Sequence, residues 1–113
     1  MEVIKERRRV REEVIGKVSE WARSLPFKCT VVLVGSYARG DFNLWSDVDV
    51  LVISDELKGT PLERMKNIDA PSGFQVIPLT VEEYRWQEKK GNSLVMEAKR
   101  KGVLVRDDEK LFQ

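Results

Sequence analysis

Histidine is absent from the 113-residue sequence, and cysteine occurs once, as Cys29. The first absence removes the usual zinc and haem sites and every histidine-based acid–base mechanism; the second removes an internal disulfide. Chemistry must therefore rest on carboxylates, hydroxyls and backbone groups. An excess of one charge sign is also missing. Twenty Lys and Arg stand against 19 Asp and Glu, a net charge of +1, so nucleic acid is not an expected partner, because it requires basic charge gathered on one face. Apolar runs such as Val31 to Val34 fall far short of the ~18 residues of a membrane span. No charged start, apolar stretch and small-residue cleavage site follow one another as in a signal peptide. A cytoplasmic location without membrane contact is the expectation. What is present, 42% hydrophobic and 35% charged residues in a chain of this length, suits one folded domain over 1–113.

Along the chain, Val10, Val14, Val18, Trp21 and Leu25 recur at helical spacing, which predicts an amphipathic helix over 2–25 that Pro26 ends. The basic run Lys5 to Arg9 with Arg11 is interleaved with Glu6, Glu12 and Glu13, and reads as a solvated helix face or, alternatively, a phosphate contact. Cys29 to Val34 and Val48 to Ser54 are β-branched runs suited to central strands. A short helix is expected from Pro61 to about Ile68, a third strand from Phe74 to Leu79, and a helix to about Lys90 opened by the capping box Thr80-Val81-Glu82-Glu83. Gly91-Asn92-Ser93 begins a last helix that Gly102 closes, and Val103 to Val105 fits a short edge strand. Alternating helices and strands give an α/β architecture with helices packed on a small sheet.

The chemistry is concentrated between Gly35 and Asp49. Gly35-Ser36 leaves a buried strand and enters a segment able to start a helix, where free backbone N–H groups and the Ser36 hydroxyl suit an anion and Arg39 adds charge; an ordinary turn is the alternative. Asp47 and Asp49 lie two residues apart, so on a strand they share a face about 6.6 Å apart along the backbone, with Val48, Val50 and Val52 turned to the core. Two such acids need a counter-cation, and oxygen-only ligands favour Mg²⁺ or Mn²⁺; the alternative is a pair of acids in a solvated loop. Trp21, Tyr84, Trp86, Met65 and Met96 suit core or interface packing. Trp45 suits either stacking on a base or covering the core. No lysine-bearing Walker loop is present.

Gly35-Ser36, ten intervening residues, then Asp47-Val48-Asp49, resembles the nucleotidyltransferases of the DNA polymerase β superfamily. In length the chain is similar to the minimal nucleotidyltransferases paired with HEPN-domain proteins in toxin–antitoxin systems. The resemblance spans about Trp21 to Glu83 and implies the polymerase β-like α+β fold, with a small mixed sheet. It implies that Gly35 and Ser36 hold the triphosphate of ATP or another NTP and that Asp47 and Asp49 bind the metal. The implied activity is transfer of NMP, AMP first among them, to a hydroxyl acceptor, with a HEPN-domain protein or a second copy of the chain as partner. A third acid normally follows on the next strand, where this sequence has Gln75. Glutamine lends a carbonyl oxygen but accepts no proton, so a protein that binds its partner without catalysis is the second reading. Asp69, Glu82 and Glu83 are the candidates to replace the missing acid. The helix carrying Tyr84 and Trp86 is the expected partner surface.

Overall fold

The two β-branched runs become the two inner strands of a four-stranded sheet. In the computed structural model, which describes residues 2–112, the elements are α1 (Glu2–Ser24), β1 (Thr30–Val34), α2 (Gly35–Arg39), β2 (Val48–Ile53), α3 (Pro61–Met65), β3 (Phe74–Leu79), α4 (Val81–Lys89), α5 (Ser93–Lys101) and β4 (Val103–Asp107). The strand order is β3-β2-β1-β4. β1 runs antiparallel to β2 and β4, while β2 and β3 are parallel, so the sheet is mixed. The parallel pair needs a crossover, which α3 and its flanking loops supply.

Each inner strand is apolar on both sides because both faces of the sheet are covered. Val31, Leu33, Val50, Val52 and Val76 face α1, where they pack with Val18, Trp21, Ala22 and Leu25. Val32, Val34, Leu51 and Ile53 face α4 and α5, packing with Tyr84, Val95 and Ala98. Trp21 thus belongs to the core, and its Nε1 donates to the Asp69 carbonyl at 2.7 Å. Tyr84 is 1% exposed, so burial in the protein's own core removes it from the expected partner surface. Trp86 on the same helix is exposed, with Lys90 Nζ 5.8 Å from its ring centroid.

The ends of the elements follow local chemistry. Thr80 Oγ1 accepts from Glu83 N at 3.1 Å and the Glu83 carboxylate accepts from Thr80 N at 2.9 Å, the reciprocal box expected at the start of α4. Thr60 and Glu63 repeat it at α3. α3 is shorter than the expected 61–68: beyond Met65 the chain tightens into i→i−3 bonds, Lys66 N to the Glu63 carbonyl and Ile68 N to the Met65 carbonyl, both at 3.2 Å, which turn Ile68 into the core. Arg106 donates to the carbonyls of Ala22, Leu25 and Phe27, so β4 caps α1 and extends two residues past the expected Val105. Among the described residues no helix is long and apolar enough to cross a membrane.

Candidate active site

β1 ends where Val34 gives way to Gly35, whose φ of +75° lies in the region open chiefly to glycine. α2 begins at once. Asp49 is the register partner of Val34 on one side and of Gln75 on the other, so three neighbouring strands set these residues in one row. Alternation along β2 turns Asp49 to the face of Leu51 and Ile53, the face that α4 and α5 cover. The Asp49 carboxylate there fills the space that a side chain at residue 35 would take.

Asp47 stands one residue before β2 and is exposed, so the expectation that both acids ride on the strand holds for Asp49 alone. The two charges still meet. Burial pushes the Asp49 carboxyl above its ordinary range, and the Asp47 charge adds to the push. The Arg39 guanidinium opposes it, and Glu97 on α5 reinforces it. Arg39 itself is held at both ends: Nε lies 3.2 Å from Asp41 Oδ2, and Nη1 is ion-paired with Glu97. The Ser36 carbonyl accepts from Gly40 N at 2.8 Å and Asp41 N at 3.1 Å, which closes the single turn of α2 behind the Ser36 side chain.

The basic run Lys5 to Arg9 at the start of α1 is exposed, as expected of a solvated face, but Arg7 and the half-buried Arg11 also reach across to α2 and its loop. Arg11 donates from Nε and Nη2 to the carbonyls of Tyr37 and Ala38, each at 2.8 Å. Arg7 donates to the Phe42 carbonyl at 2.7 Å, and its guanidinium lies 5.2 Å from the Phe42 ring centroid. That ring stacks on Tyr37 at 4.4 Å. These contacts satisfy the last carbonyls of α2 and fix the loop leading to Asp47. The loop closes in a turn: Trp45 N donates to Asn43 Oδ1 at 2.8 Å and Ser46 N to the Asn43 carbonyl at 3.1 Å. Leu44 and Trp45, at its tip, are 88% and 87% exposed. Trp45 therefore does not cover the core.

The structure thus gathers Gly35, Ser36, Arg39, Asp47 and Asp49 at the β1–β2 end of the sheet, with Gln75 in register and exposed. The three substitute acids lie elsewhere. Glu83 caps α4 and pairs with the buried Arg64. It and Glu82 follow the far end of β3, some 13 Å along the sheet from Asp49 at ~3.3 Å per residue. Asp69 is tied to Trp21 on the α1 face. Glu97 is the residue that the sequence reading missed. Its place on a helix was legible, but nothing in the sequence docks that helix beside Arg39.

Among the described residues no three of His, Cys, Asp and Glu cluster to hold a metal. Two carboxylates and the Gln75 amide oxygen form an all-oxygen donor set, and the repulsion between Asp47 and Asp49 is relieved by a hard divalent cation, so the residues fit one. A cavity of about 520 Å³ lies between α1 and the 71–74 turn, lined by Trp21, Val48 and Phe74. It opens on the α1 face, away from the acids, and its position gives it no part in their chemistry.

The nucleotidyltransferase domain family matches residues 8–105 of the chain. A crystal structure of a protein from Sulfolobus solfataricus, assigned as a nucleotidyltransferase, superposes with a TM-score of 0.56 at 22% identity, over 92% of this chain and 86% of that one. At that identity the likeness concerns the fold. None of the curated proteins matches the chain in sequence.

Proposed function

We propose, since the chain belongs to the nucleotidyltransferase domain family, that it transfers a nucleoside monophosphate, AMP in the first instance, from a nucleoside triphosphate to a hydroxyl, with Asp47 and Asp49 holding Mg²⁺ or Mn²⁺. The observation that carries this reading is the lodging of the Asp49 carboxylate against Gly35. It sets the acid proposed to hold the metal directly beside the turn proposed to receive phosphate. A bound divalent cation supplies charge neutralisation at the phosphates and polarises the bond to be broken. The chain's own residues do the rest. Gly35 leaves its backbone open to close approach, the Ser36 hydroxyl donates to a phosphate oxygen, and Arg39 supplies a fixed positive charge, so the work is mostly positioning. Gln75 shares Asp49's face and orients a hydroxyl through its amide, but it removes no proton.

That amide favours a second reading, in which the fold binds nucleotide and partner while transfer is slow or lost. The acceptor hydroxyl is proposed to sit on a partner protein, a HEPN-domain protein in an antitoxin setting or a second copy of the chain. The exposed Leu44 and Trp45 beside Asp47 support an arriving macromolecule.

Calorimetric titration of ATP in Mg²⁺ tests the site. Binding to the wild type and its loss in Asp47→Asn/Asp49→Asn, with the melting transition retained, are expected. Unchanged affinity in the double variant would overturn the assignment.

A further inference from the structure

Two clefts lie end to end along one flank of α1. The first, of about 250 Å³, is bounded by Arg7 and Val10 of the helix and by Tyr37, Phe42 and Leu44 opposite. The second is the cavity of about 520 Å³ against the 71–74 turn, where Val14, Lys17, Trp21 and Ser24 continue the helix wall. From Arg7 to Ser24 these helix residues advance by alternate steps of three and four. That is a seven-residue repeat, the spacing at which one α-helix offers a seam to another. The seam borders the face that α1 buries through Val18, Ala22 and Leu25. Its floor is apolar: Phe42 stacks on Tyr37 at one end, and at the other Phe74 meets Trp21 edge-on with centroids 5.4 Å apart. Val10, Val14, Val48 and Phe74 are left half-buried along it. The rim on α1 is acidic at the same repeat. Glu6, Glu13 and Glu20 stand seven residues apart and are exposed, and Glu6 and Glu20 border the two clefts. Glu6 and Glu13 share Arg9 in exposed pairs within the helix, which water and salt weaken. Glu20 and Lys17 have no ion pair among the described residues. The wall opposite α1, from Tyr37 to Phe74, contributes no charged side chain to either cleft.

We propose that this groove receives an amphipathic α-helix of a partner protein. The helix lies alongside α1 with its apolar stripe on Val10, Val14 and Trp21, and with lysine or arginine at seven-residue intervals facing Glu6, Glu13 and Glu20. Between residues 6 and 24 the groove runs about 27 Å at 1.5 Å per residue, five turns of such a helix. Arg7 is engaged by the Phe42 carbonyl, so Lys17 is the free cation on the seam. A lone inward lysine costs stability and fixes register, which calls for an acid at that level of the docked helix. A second copy of the chain is a poor occupant, because pairing two such flanks sets glutamate against glutamate. The groove lies on the α1 face of the sheet, whereas Asp49 faces α4 and α5, so the proposal stands independently of the nucleotidyl-transfer reading.

The test uses two synthetic three-heptad peptides, both with leucine at the seam positions. One carries lysine at every seventh flank position and the other glutamate. Each, labelled with fluorescein, is titrated with the full chain and followed by anisotropy. The lysine peptide is expected to bind the wild type about tenfold more tightly than the glutamate peptide, with the advantage shrinking as salt is raised. Glu13→Lys/Glu20→Lys, two exposed helix positions, is expected to reverse the preference with the melting transition retained. Ser72→Trp, on the exposed turn beside the larger cleft, is expected to weaken both peptides, which separates docking in the groove from adsorption to an acidic surface. Asp47→Asn/Asp49→Asn is expected to bind the lysine peptide like the wild type, whatever becomes of its ATP binding. Equal binding of the two peptides, no binding of either, an unreversed preference in the glutamate variant or full affinity in Ser72→Trp would overturn the proposal. So would loss of the lysine peptide in the aspartate variant, or sedimentation showing that the wild type pairs with itself and thereby excludes the peptide.

Discussion

A β-carbon built on Gly35 would stand 2.3 Å from Asp49 Oδ2. Contact that close forbids any side chain at residue 35 unless the carboxylate moves, so the end of β1 and the acid of β2 share one volume.

Gly35→Ala therefore carries two penalties, the positive φ and the displaced carboxylate. A destabilisation of about 1–3 kcal/mol is expected, together with loss of Mg²⁺-dependent ATP binding. Denaturant unfolding and calorimetry on the same preparation check both. An alanine variant that binds ATP like the wild type would show that the contact does not matter to the site.

Asp49 gives the metal-free protein a characteristic pH response. Its carboxyl titrates above the ordinary value of 3.8 because of burial and then of Asp47. Between those two values the folded state holds a proton that the unfolded state has lost. This contribution to stability is full below 3.8 and lost as pH rises through the folded-state value. Asp49→Asn removes that slope. The expected result, in chelator, is a difference in stability between wild type and variant that moves in the variant's favour with rising pH and then levels. Glu83 and Asp108, whose carboxyls are held below their ordinary range by Arg64 and Arg106 respectively, contribute slopes of the opposite sign that cancel in the comparison.

Gln75→Glu places a third carboxylate in the row of Asp49. If proton removal limits transfer, the rate should rise by up to ~10²–10⁴, read as pyrophosphate exchange, while metal-free stability falls from the added like charge. A wild type as fast as the variant would mean that another group takes the proton.

Tyr84 offers a test of packing remote from the acids. Its hydroxyl is buried and finds no hydrogen-bond partner among the described residues, and burial pushes its pKa to about 12. Tyr84→Phe keeps the ring against Phe112, 5.6 Å away between centroids, and discards the unsatisfied group. The variant should be more stable by about 1 kcal/mol in thermal or urea unfolding; a loss of that size would reveal a partner for the hydroxyl.

The strands and the capping box of α4 were legible because their signals are local: β-branched runs, and a threonine three residues before a glutamate. Gly35, Ser36, Asp47 and Asp49 stood out by spacing, and the register of Gln75 opposite Asp49 matches what the family resemblance implied for the third acid. What escaped depends on which surface meets which. The charge pattern of α1 was plain, yet that Arg7 and Arg11 bond to the 37–42 backbone follows from where α2 lies. Trp45 is apolar, and only the Asn43–Ser46 turn decides that it faces solvent. On α5 the residue expected to pack in the core or an interface was Met96, whereas Val95 and Ala98 form the buried side, and no local pattern pairs Glu97 with a residue 58 positions away.

The pairing of β1 with β4 joins Thr30 to Asp107, and it bears on when the protein acquires its chemistry during synthesis. β1 is hydrogen-bonded on one side to the strand that follows the other three in chain order, and the segment carrying Ser36 and Arg39 leaves from the end of that same β1. Closing so long a loop is entropically costly until the contacts it enables have formed. A growing chain still tethered at the ribosome before Asp107 emerges holds all the acids and the glycine, but has neither the second neighbour of β1 nor α5 docked beside Arg39. Nucleotide binding should therefore switch on only once β4 has emerged, and fragments ending before β4 should be inert toward nucleotide even where they are helical.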